Sequence, residues 1–190
     1  DNNFIKAERV INKVLPKAHN PEQKEKLVKA LADCREALYV KVERRYNKAQ
    51  ALAQSGDYDG AIDILINYVG RPVPSSGTNR GNDRDAVQEE KLTFLMGDCL
   101  YRIKEYENAH KLYEKFINEF AETVRFDEAL NLEFEIGFKF ITGAKRSLWG
   151  LYILPAVDFG IQIVRKTLDK YPYAKPSEVY HLKLADYLFS

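Results

Sequence analysis

The sequence predicts an all-α protein built from consecutive helical hairpins. Apolar residues recur with a period near 3.6 through most of the chain, which is typical of amphipathic helices. A second pattern, a tyrosine followed three positions later by alanine, occurs at Tyr58–Ala61 and again at Tyr106–Ala109. A small residue in the first turn of a helix lets a preceding helix pack closely against it. The two patterns together favour repeated helix pairs.

The clearest hairpin occupies residues 91–116. It is predicted as two amphipathic helices with a tight break at residues 104–105. Gly97 lies in the middle of the first helix, where glycine costs about 1 kcal/mol relative to alanine. Ala109 follows 12 residues later in the second helix. We therefore expect these two small residues to mark the point where the two helices touch, with Tyr106 filling the corner.

The small residues recur along the chain in a way that resembles tetratricopeptide (TPR) hairpins. Ala61, Ala109 and Gly160 are spaced by 48 and 51 residues, whereas the usual repeat is about 34 residues long. Pro172 lies 12 residues after Gly160, at the usual stop position. We predict a TPR-like solenoid of about three stretched repeats and the start of a fourth. The repeats are placed at about residues 37–70, 85–120 and 124–172, with the partial repeat at 177–190.

Residues 1–36 are predicted to form an N-terminal helical extension before the solenoid at 37–190. Residues 3–15 are weakly amphipathic and end near Pro16. Asn20 is a good N-cap for the next helix, because Pro21 stands at its first position and a glutamine follows at the capping-box position. The stretch from there to residue 54 contains no glycine or proline and is predicted as one or two helices.

The remaining elements follow from turn residues. A helix is predicted at about 58–69, and residues 70–85 are rich in proline, glycine, serine and asparagine, so we expect a mobile loop there. The second hairpin begins near Asp85 and ends near residue 120. Thr123 is predicted to cap a helix that runs to about residue 142, and a further first helix starts at Ser177. Because the last residues are apolar, we expect more chain or another subunit to cover them.

The third hairpin carries an insertion. Gly137 and Gly160 are 23 residues apart where 12 is expected, which leaves about 11 extra residues within 143–155. This segment is apolar and contains the single tryptophan of the chain. Either it folds back over the third hairpin and completes the core, or it is an exposed anchor for a partner protein or a membrane surface. The candidate contact residues are Lys145, Arg146, Trp149 and Tyr152.

Composition excludes several function classes. The net charge of +1 gives no reason to expect nucleic acid or an acidic substrate. Residues 1–50 carry 12 basic and 7 acidic residues, a net of +5, and the remainder carries 17 and 21, a net of −4. This basic N-terminal segment is either a solvated helix face or a contact for anionic lipids or an acidic partner. The chain contains no run of about 18 apolar residues, so no transmembrane helix is predicted.

The sequence shows no catalytic or metal-binding pattern. His19, His110 and His181 match no ligand spacing, and each is interpreted as a surface or helix-flank residue. Cys34 and Cys99 are 65 residues apart and form no CxxC motif. There is no GxGxxG, P-loop or GxSxG sequence. We therefore predict a binding protein that is not an enzyme and uses no cofactor or metal.

The first helices of a TPR solenoid line its concave face, and here they place aromatic residues near the small anchor positions. This set predicts a groove for an extended peptide with apolar or aromatic side chains. The alternative is that these aromatic residues pack against the neighbouring helix. The predicted groove residues are Tyr46, Phe94, Asp98, Tyr101, Phe134 and Phe138.

Several segments together resemble the outer-membrane protein assembly lipoprotein family (BamD/YfiO-like TPR proteins), in particular its divergent branch with an insertion in the third repeat. The similarity covers roughly residues 37–190. The segments that carry it are Phe116-Ile-Asn-Glu-Phe120, the helix around Gly137, the insertion at 143–155, Gly160-Ile161 and Tyr171-Pro-Tyr-Ala-Lys-Pro-Ser-Glu178.

The resemblance implies a non-catalytic protein on the periplasmic face of the outer membrane. It implies peripheral membrane association through an acylated N-terminal cysteine, which we expect outside this chain because Cys34 lies within a helical pattern. The implied partners are a subunit of the β-barrel assembly machine and unfolded segments of outer-membrane proteins. The alternative function is a structural adaptor subunit of another cell-envelope or secretion complex, in which the groove would be filled.

Overall fold

The computed structural model describes residues 2–69, 83–148 and 151–189. Within them the chain forms eight α-helices and one short antiparallel pair of strands, so the predicted all-α class is confirmed apart from that pair. The helices are α1 (Asn2–Val14), α2 (Pro21–Gln54), α3 (Tyr58–Leu65), α4 (Asp83–Arg102), α5 (Tyr106–Glu119), α6 (Phe126–Ile141), α7 (Val157–Lys170) and α8 (Ser177–Phe189). The strands are β1 (Arg146–Leu148) and β2 (Leu151–Leu154), and a 3₁₀ turn at Leu15–Lys17 follows α1.

Each helix packs mainly against its neighbours in the sequence. Helices α2 and α3, α4 and α5, and α6 and α7 form hairpin-like pairs. Helix α3 also packs on α4, α5 on α6, and α7 on α8, which joins the pairs into a row. Helix α2 also contacts α4, which places the first helices of the first two pairs side by side.

The first helices of the three pairs end in the same way. Gly56, Lys104 and Gly143 follow them with φ angles of +88°, +66° and +115°. In each case the next backbone N–H donates to a carbonyl five residues earlier, which is the Schellman arrangement. These bonds run from Asp57 to Leu52 (2.9 Å), from Glu105 to Leu100 (2.9 Å) and from Ala144 to Lys139 (2.8 Å). The predicted break at residues 104–105 is confirmed, although a lysine takes the left-handed conformation there.

The corners after α5 and α7 also match each other. The N–H groups of Thr123 and Ala174 donate to the carbonyls of Phe120 and Tyr171, both at 3.3 Å. Each corner residue then accepts from the first residue of the next helix, Phe126 at 3.1 Å and Ser177 at 2.9 Å. Helix α8 begins at Ser177 as predicted, and α7 ends before Pro172. The two corners are 51 residues apart, the same spacing as Ala109 and Gly160.

The prediction that Thr123 caps α6 is wrong. The helix begins at Phe126, and its N-cap residue Arg125 makes no side-chain capping bond. The Thr123 hydroxyl instead donates to a carboxylate oxygen of Glu90 on α4 and accepts weakly from the Arg125 N–H at 3.4 Å. Thr123 therefore ties the corner to a neighbouring helix.

The N-terminal half contains one long helix. Helix α2 continues through 34 residues, so the predicted boundary at residue 36 falls inside it. Asn20 caps this helix by accepting from the Glu22 N–H at 2.9 Å, and Pro21 occupies the first position as predicted. Helix α1 is fixed to α2 by an ion pair between Glu8 and Arg35 at 2.8 Å. Most of the predicted loop at 70–85 lies outside the described residues.

The buried side chains form two clusters, and α4 contributes to both. The smaller cluster joins α2, α3 and α4 through Val42, Tyr46, Ala49, Ala61, Leu65, Leu92 and Cys99. The larger one begins with Phe94 and Leu100 on α4 and extends through α5, α6 and α7 to Tyr180 and Leu184 on α8. Residues on two faces of α4 thus connect the first pair to the rest of the chain.

Helices α6 and α7 cross at two glycines. A Cβ atom added to Gly160 would lie 2.4 Å from the carbonyl oxygen of Gly137, and one added to Gly137 would lie 2.6 Å from a methyl carbon of Val164. Neither position has room for a side chain. Gly97 is less constrained, because the nearest atoms to its added Cβ belong to the ring of Tyr113 at 3.2 Å. The close approach that the mid-helix glycines predict is confirmed most clearly at the crossing of α6 and α7.

We expect Gly160→Ala to destabilise the protein by about 1–3 kcal/mol, because its methyl group would force the backbones of α6 and α7 apart. Gly97→Ala is the matched comparison, since a ring can move and alanine favours the helix. Urea unfolding followed by circular dichroism measures both. Equal stability of Gly160→Ala and the unmodified protein would contradict the tight crossing.

Candidate functional site

Three of the predicted groove residues are buried. Tyr46, Phe94 and Phe134 are 7%, 5% and 0% exposed. The ring of Phe134 stacks on Tyr180 of α8 with the ring centroids 4.5 Å apart. For these three residues the structure has the alternative arrangement, in which the aromatic side chain packs against a neighbouring helix. Their side chains are not accessible to a bound peptide.

The surroundings of Phe94 show why a predicted groove residue is buried. Its ring makes edge contacts with Tyr113 at 5.8 Å and Phe116 at 5.3 Å, both on α5. The guanidinium carbon of Arg125 lies over the ring, 4.6 Å from its centroid. The side chain is therefore enclosed by α5 and the corner before α6. Helical periodicity places it on the inner face, but the close packing of neighbouring helices fills the space beside it.

The other three predicted groove residues are partly exposed. Asp98 pairs with Arg102 one turn later at 3.4 Å. The Tyr101 hydroxyl donates to Oε2 of Glu135 on α6 at 2.7 Å. Phe138 lies beside Tyr180, with 5.7 Å between ring centroids. These residues remain available at the surface of the first helices.

A chain of hydrogen bonds crosses this surface from α4 to α8. Glu135 accepts from the Tyr101 hydroxyl and, at 3.0 Å, from the amide of Asn131. The Tyr180 hydroxyl donates to Oδ1 of Asn131 at 3.2 Å. Burial raises the pKa of Tyr180 to about 12, so this phenol stays a neutral donor at physiological pH. The bonds fix α4, α6 and α8 relative to one another.

A shallow groove lies between α6 and α8 beside this chain, and we call it the first-helix groove. Its floor is aromatic, and its rim carries both charges. The Lys183 ammonium lies 4.5 Å from the centre of the Tyr180 ring. The residues that line the groove are Glu135, Phe138, Lys139, Thr142, Tyr180, Lys183 and Asp186. Such a surface can bind a polypeptide through apolar contact and ion pairs at the edge.

The insertion begins on the opposite side of α6. Lys145 is exposed, but Arg146 at the base of the strands forms an ion pair with Glu107 of α5 at 3.0 Å. Its guanidinium also stacks over Phe159 of α7 at 4.1 Å. The predicted contact residue Arg146 therefore holds the insertion on the protein itself. Trp149 and the side chain of Tyr152 lie outside the described residues.

A second, more enclosed pocket lies between α5, α6 and α7, and we call it the α5–α7 pocket. Ile117, Phe159 and Ile163 supply apolar wall, most of the other lining residues are polar, and two side-chain pairs cross from α7 to α5 at the rim. In these pairs Lys166 bonds Glu114 and Lys170 bonds Asn118. The lining residues are His110, Glu114, Ile117, Asn118, Glu133, Phe159, Gln162, Ile163, Lys166, Thr167, Lys170 and Tyr171.

A histidine and a carboxyl group pair within this pocket. His110 Nδ1 and Glu133 Oε1 are 2.6 Å apart. Glu133 is only 2% exposed, and its second oxygen, Oε2, has no hydrogen-bond partner among the described residues. Burial raises the pKa of Glu133 above its ordinary value, opposed by the hydrogen bond from His110. Burying a carboxyl oxygen without a hydrogen-bond partner costs free energy, so this atom sets the pair apart from an ordinary ion pair.

Sequence reasoning missed this pair. The sequence predicts a surface or helix-flank position for His110, but its side chain is 14% exposed and its ring packs edge-on against Phe159 at 5.6 Å. One signal was present in the sequence. Glu133 falls on the apolar stripe of α6, between Leu130 and Gly137, where a carboxyl group needs a partner. That partner lies 23 residues away on another helix, and no local spacing indicates it.

The two cysteines are free. Cys99 is fully buried, and burial raises the pKa of its thiol to about 11. Across the ranges that the structure describes, no group of three or more histidine, cysteine or acidic residues is placed to hold a metal ion.

Comparisons with known proteins identify no relative. No protein-family model, curated protein or solved structure matches this chain. In the part of the chain that the structure describes, none of the helices combines the length and the apolar character needed to cross a membrane.

We expect Phe134→Ala to destabilise the protein by about 3–5 kcal/mol, because it removes a fully buried ring that stacks on Tyr180. Phe138→Ala is the matched control, since this neighbouring ring on the same helix is only partly buried. Thermal unfolding of both variants tests the difference. An equal and small loss for both would show that Phe134 is exposed in solution.

We expect Glu133→Gln to flatten the dependence of stability on pH. A carboxyl group whose pKa is raised by folding stabilises the folded state fully below its ordinary pKa of 4.5, and this contribution is lost as pH rises through the higher folded value. Other charged groups nearby are Glu114 and Lys166, which the substitution leaves in place. Urea unfolding at a series of pH values measures the effect. Identical pH profiles would show that Glu133 does not titrate in this way.

Proposed function

We propose that this chain is a non-catalytic TPR-like scaffold that binds protein partners. The observation that carries the proposal is the repeated geometry of its corners. Three first helices end in the same Schellman arrangement, and two second helices end in the same corner. Regular stacking of hairpins exposes long helical faces, and proteins of this construction use them for recognition.

The surface best suited to a partner is the first-helix groove, together with Tyr101 beside it. Phe138 is accessible there, and the lysines at 139 and 183 are exposed at the rim. The hydrogen bonds through Glu135 and Asn131 hold the groove in one shape before binding. A preorganised surface loses less conformational entropy on association.

One observation favours the adaptor function over the binding of unfolded client peptides. A client groove through the early repeats needs Tyr46 and Phe94 at its surface, but both are buried. A filled inner face suits a subunit that binds a folded partner with its outer surface. We propose a stable adaptor role in a cell-envelope complex.

For the complex itself, we propose the β-barrel assembly machine at the outer membrane, with another cell-envelope or secretion complex as the alternative. This location and this partner are supported by the sequence resemblance alone, which rests on five segments between residues 116 and 178, the insertion at 143–155 among them. Purification of the tagged full-length protein from native membranes tests both. Recovery with a β-barrel assembly subunit supports the family assignment, and recovery from the soluble cytoplasm contradicts it.

We expect Lys183→Glu to weaken binding of that partner by about tenfold, because it reverses the charge at the rim of the first-helix groove. Stability should change by no more than about 0.5 kcal/mol, since the side chain is exposed. Arg165→Glu on α7 is the matched control, because it makes the same charge change at an exposed position away from the groove. Equal recovery of the partner with both variants would rule out the groove as the contact surface.

A further inference from the structure

We infer that the outer side of helix α1 binds an anionic lipid surface, with a row of basic side chains on the headgroups and two neighbouring valines at the level of the headgroups. This goes beyond the proposed scaffold function, because it requires neither the first-helix groove nor a protein partner. The inference rests on the way in which α1 is turned against α2.

The inner side of α1 is fixed by an ion pair. Glu8 is 2% exposed and pairs with Arg35 of α2 at 2.8 Å. Ile11, almost one turn later on the same side of the helix, is partly buried. Glu8 is the one acidic residue of α1, so its charge is turned inward and neutralised.

The outer side of α1 carries only basic charge. Lys6, Arg9 and Lys13 are exposed, and their spacing of three and four residues places them in one row along the helix. Lys17 is exposed in the turn that follows. None of these four side chains forms an ion pair within the described residues. Among the helices of the described ranges, α1 alone has no accessible acidic side chain.

Two valines lie beside this basic row. Val10 and Val14 are 61% and 44% exposed, and they are one turn apart on the same side of α1. Their side chains therefore remain in contact with solvent although α2 covers the inner side of the helix. A helix with an apolar strip beside a row of bases is typical of segments that lie in the plane of a membrane interface.

The acidic residues of the neighbouring helix point away from this surface. Leu31 and Arg35 mark the side of α2 that faces α1. At about 100° per residue, each exposed acid in this half of α2 lies at least about 120° round the helix from Leu31. These acids are Glu22, Glu25, Asp33 and Glu36. They leave the positive field of α1 largely uncancelled on its outer side.

A lipid surface fits this arrangement better than an acidic polypeptide does. The row extends about 10 Å from Lys6 to Lys13, and a bilayer presents many equivalent headgroups, so each base can meet one without a fixed register. An acidic polypeptide would also satisfy the bases, but it requires no apolar contact. The exposed Val10 and Val14 therefore favour lipid.

The test is co-sedimentation of the 190-residue chain with vesicles. One set contains phosphatidylcholine alone, and the other contains phosphatidylcholine with about 30% phosphatidylglycerol. We expect binding to the anionic vesicles at about 0.05 M salt and at least about tenfold weaker binding at about 0.5 M salt, because salt screens exposed charges. Binding to the neutral vesicles should be at least about tenfold weaker as well.

The double variant Arg9→Glu, Lys13→Glu should bind the anionic vesicles at least about tenfold more weakly, because it reverses the charge of the row. The matched control is Arg165→Glu, Lys175→Glu, which makes the same charge change at exposed positions far along the chain. This control should bind within about twofold of the unmodified protein. Circular dichroism and thermal unfolding verify that both variants fold.

Val10→Asn should weaken binding to the anionic vesicles by about threefold, since it removes apolar surface without changing the charge. Val40→Asn is the matched control. Val40 is 50% exposed and lies nine residues after Leu31, on the side of α2 away from α1. Equal binding by the two variants would overturn the placement of the valines at the bilayer.

Three results would overturn the inference as a whole. The first is no binding to the anionic vesicles, and the second is equal binding by the two charge-reversal variants. The third is binding of poly-glutamate but not of vesicles, which would assign this face to an acidic polypeptide. The outcome is independent of the scaffold proposal, because Lys183→Glu changes the first-helix groove and leaves α1 intact. A protein that binds vesicles but recovers no partner keeps this surface and loses the proposed function.

Discussion

The crossing of α6 and α7 at Gly137 and Gly160 is the contact on which the second half of the molecule depends. The two backbones approach so closely that a methyl group on either glycine would overlap atoms of the other helix. This contact sets the position of α7 against α5, and therefore the shape of the pocket around His110 and Glu133. It also fixes the corner after α7, from which α8 places Tyr180 on Phe134. A substitution that forces α6 and α7 apart at this crossing would therefore alter both candidate sites.

Local signals in the sequence predict the helical pairs well, because helix ends are decided by neighbouring residues. Asn20 and Pro21 specify the start of α2, and Pro172 follows directly after the end of α7. The insertion was harder to predict. The strands at Arg146–Leu148 and Leu151–Leu154 are too short for a period to be recognised, and their base is held by a distant glutamate, Glu107.

The candidate sites were predicted less well than the fold, and the reason is physical. Periodicity indicates which face of a helix a side chain occupies, but not how close the next helix lies. Tyr46 and Phe94 are on the predicted inner face and are buried, because neighbouring helices fill the space beside them. The pair of His110 and Glu133 depends on two helices meeting across 23 residues of sequence. In the sequence, the one sign of this pair is Glu133 itself, a carboxyl group within the apolar stripe of α6.

Helix α6 contributes to both sites through residues that are close in sequence. Glu133 lines the α5–α7 pocket, Phe134 fills the core, and Glu135 belongs to the hydrogen-bond chain beside the first-helix groove. Successive residues of a helix are separated by about 100°, so residues two apart point to nearly opposite sides. Movement of α6 is the direct route by which one site could affect the other. Because the glycine crossing leaves no space for α6 to slide along α7, we do not expect such movement to couple the two sites. The affinity of each site for its own partner should then depend on the contacts within that site.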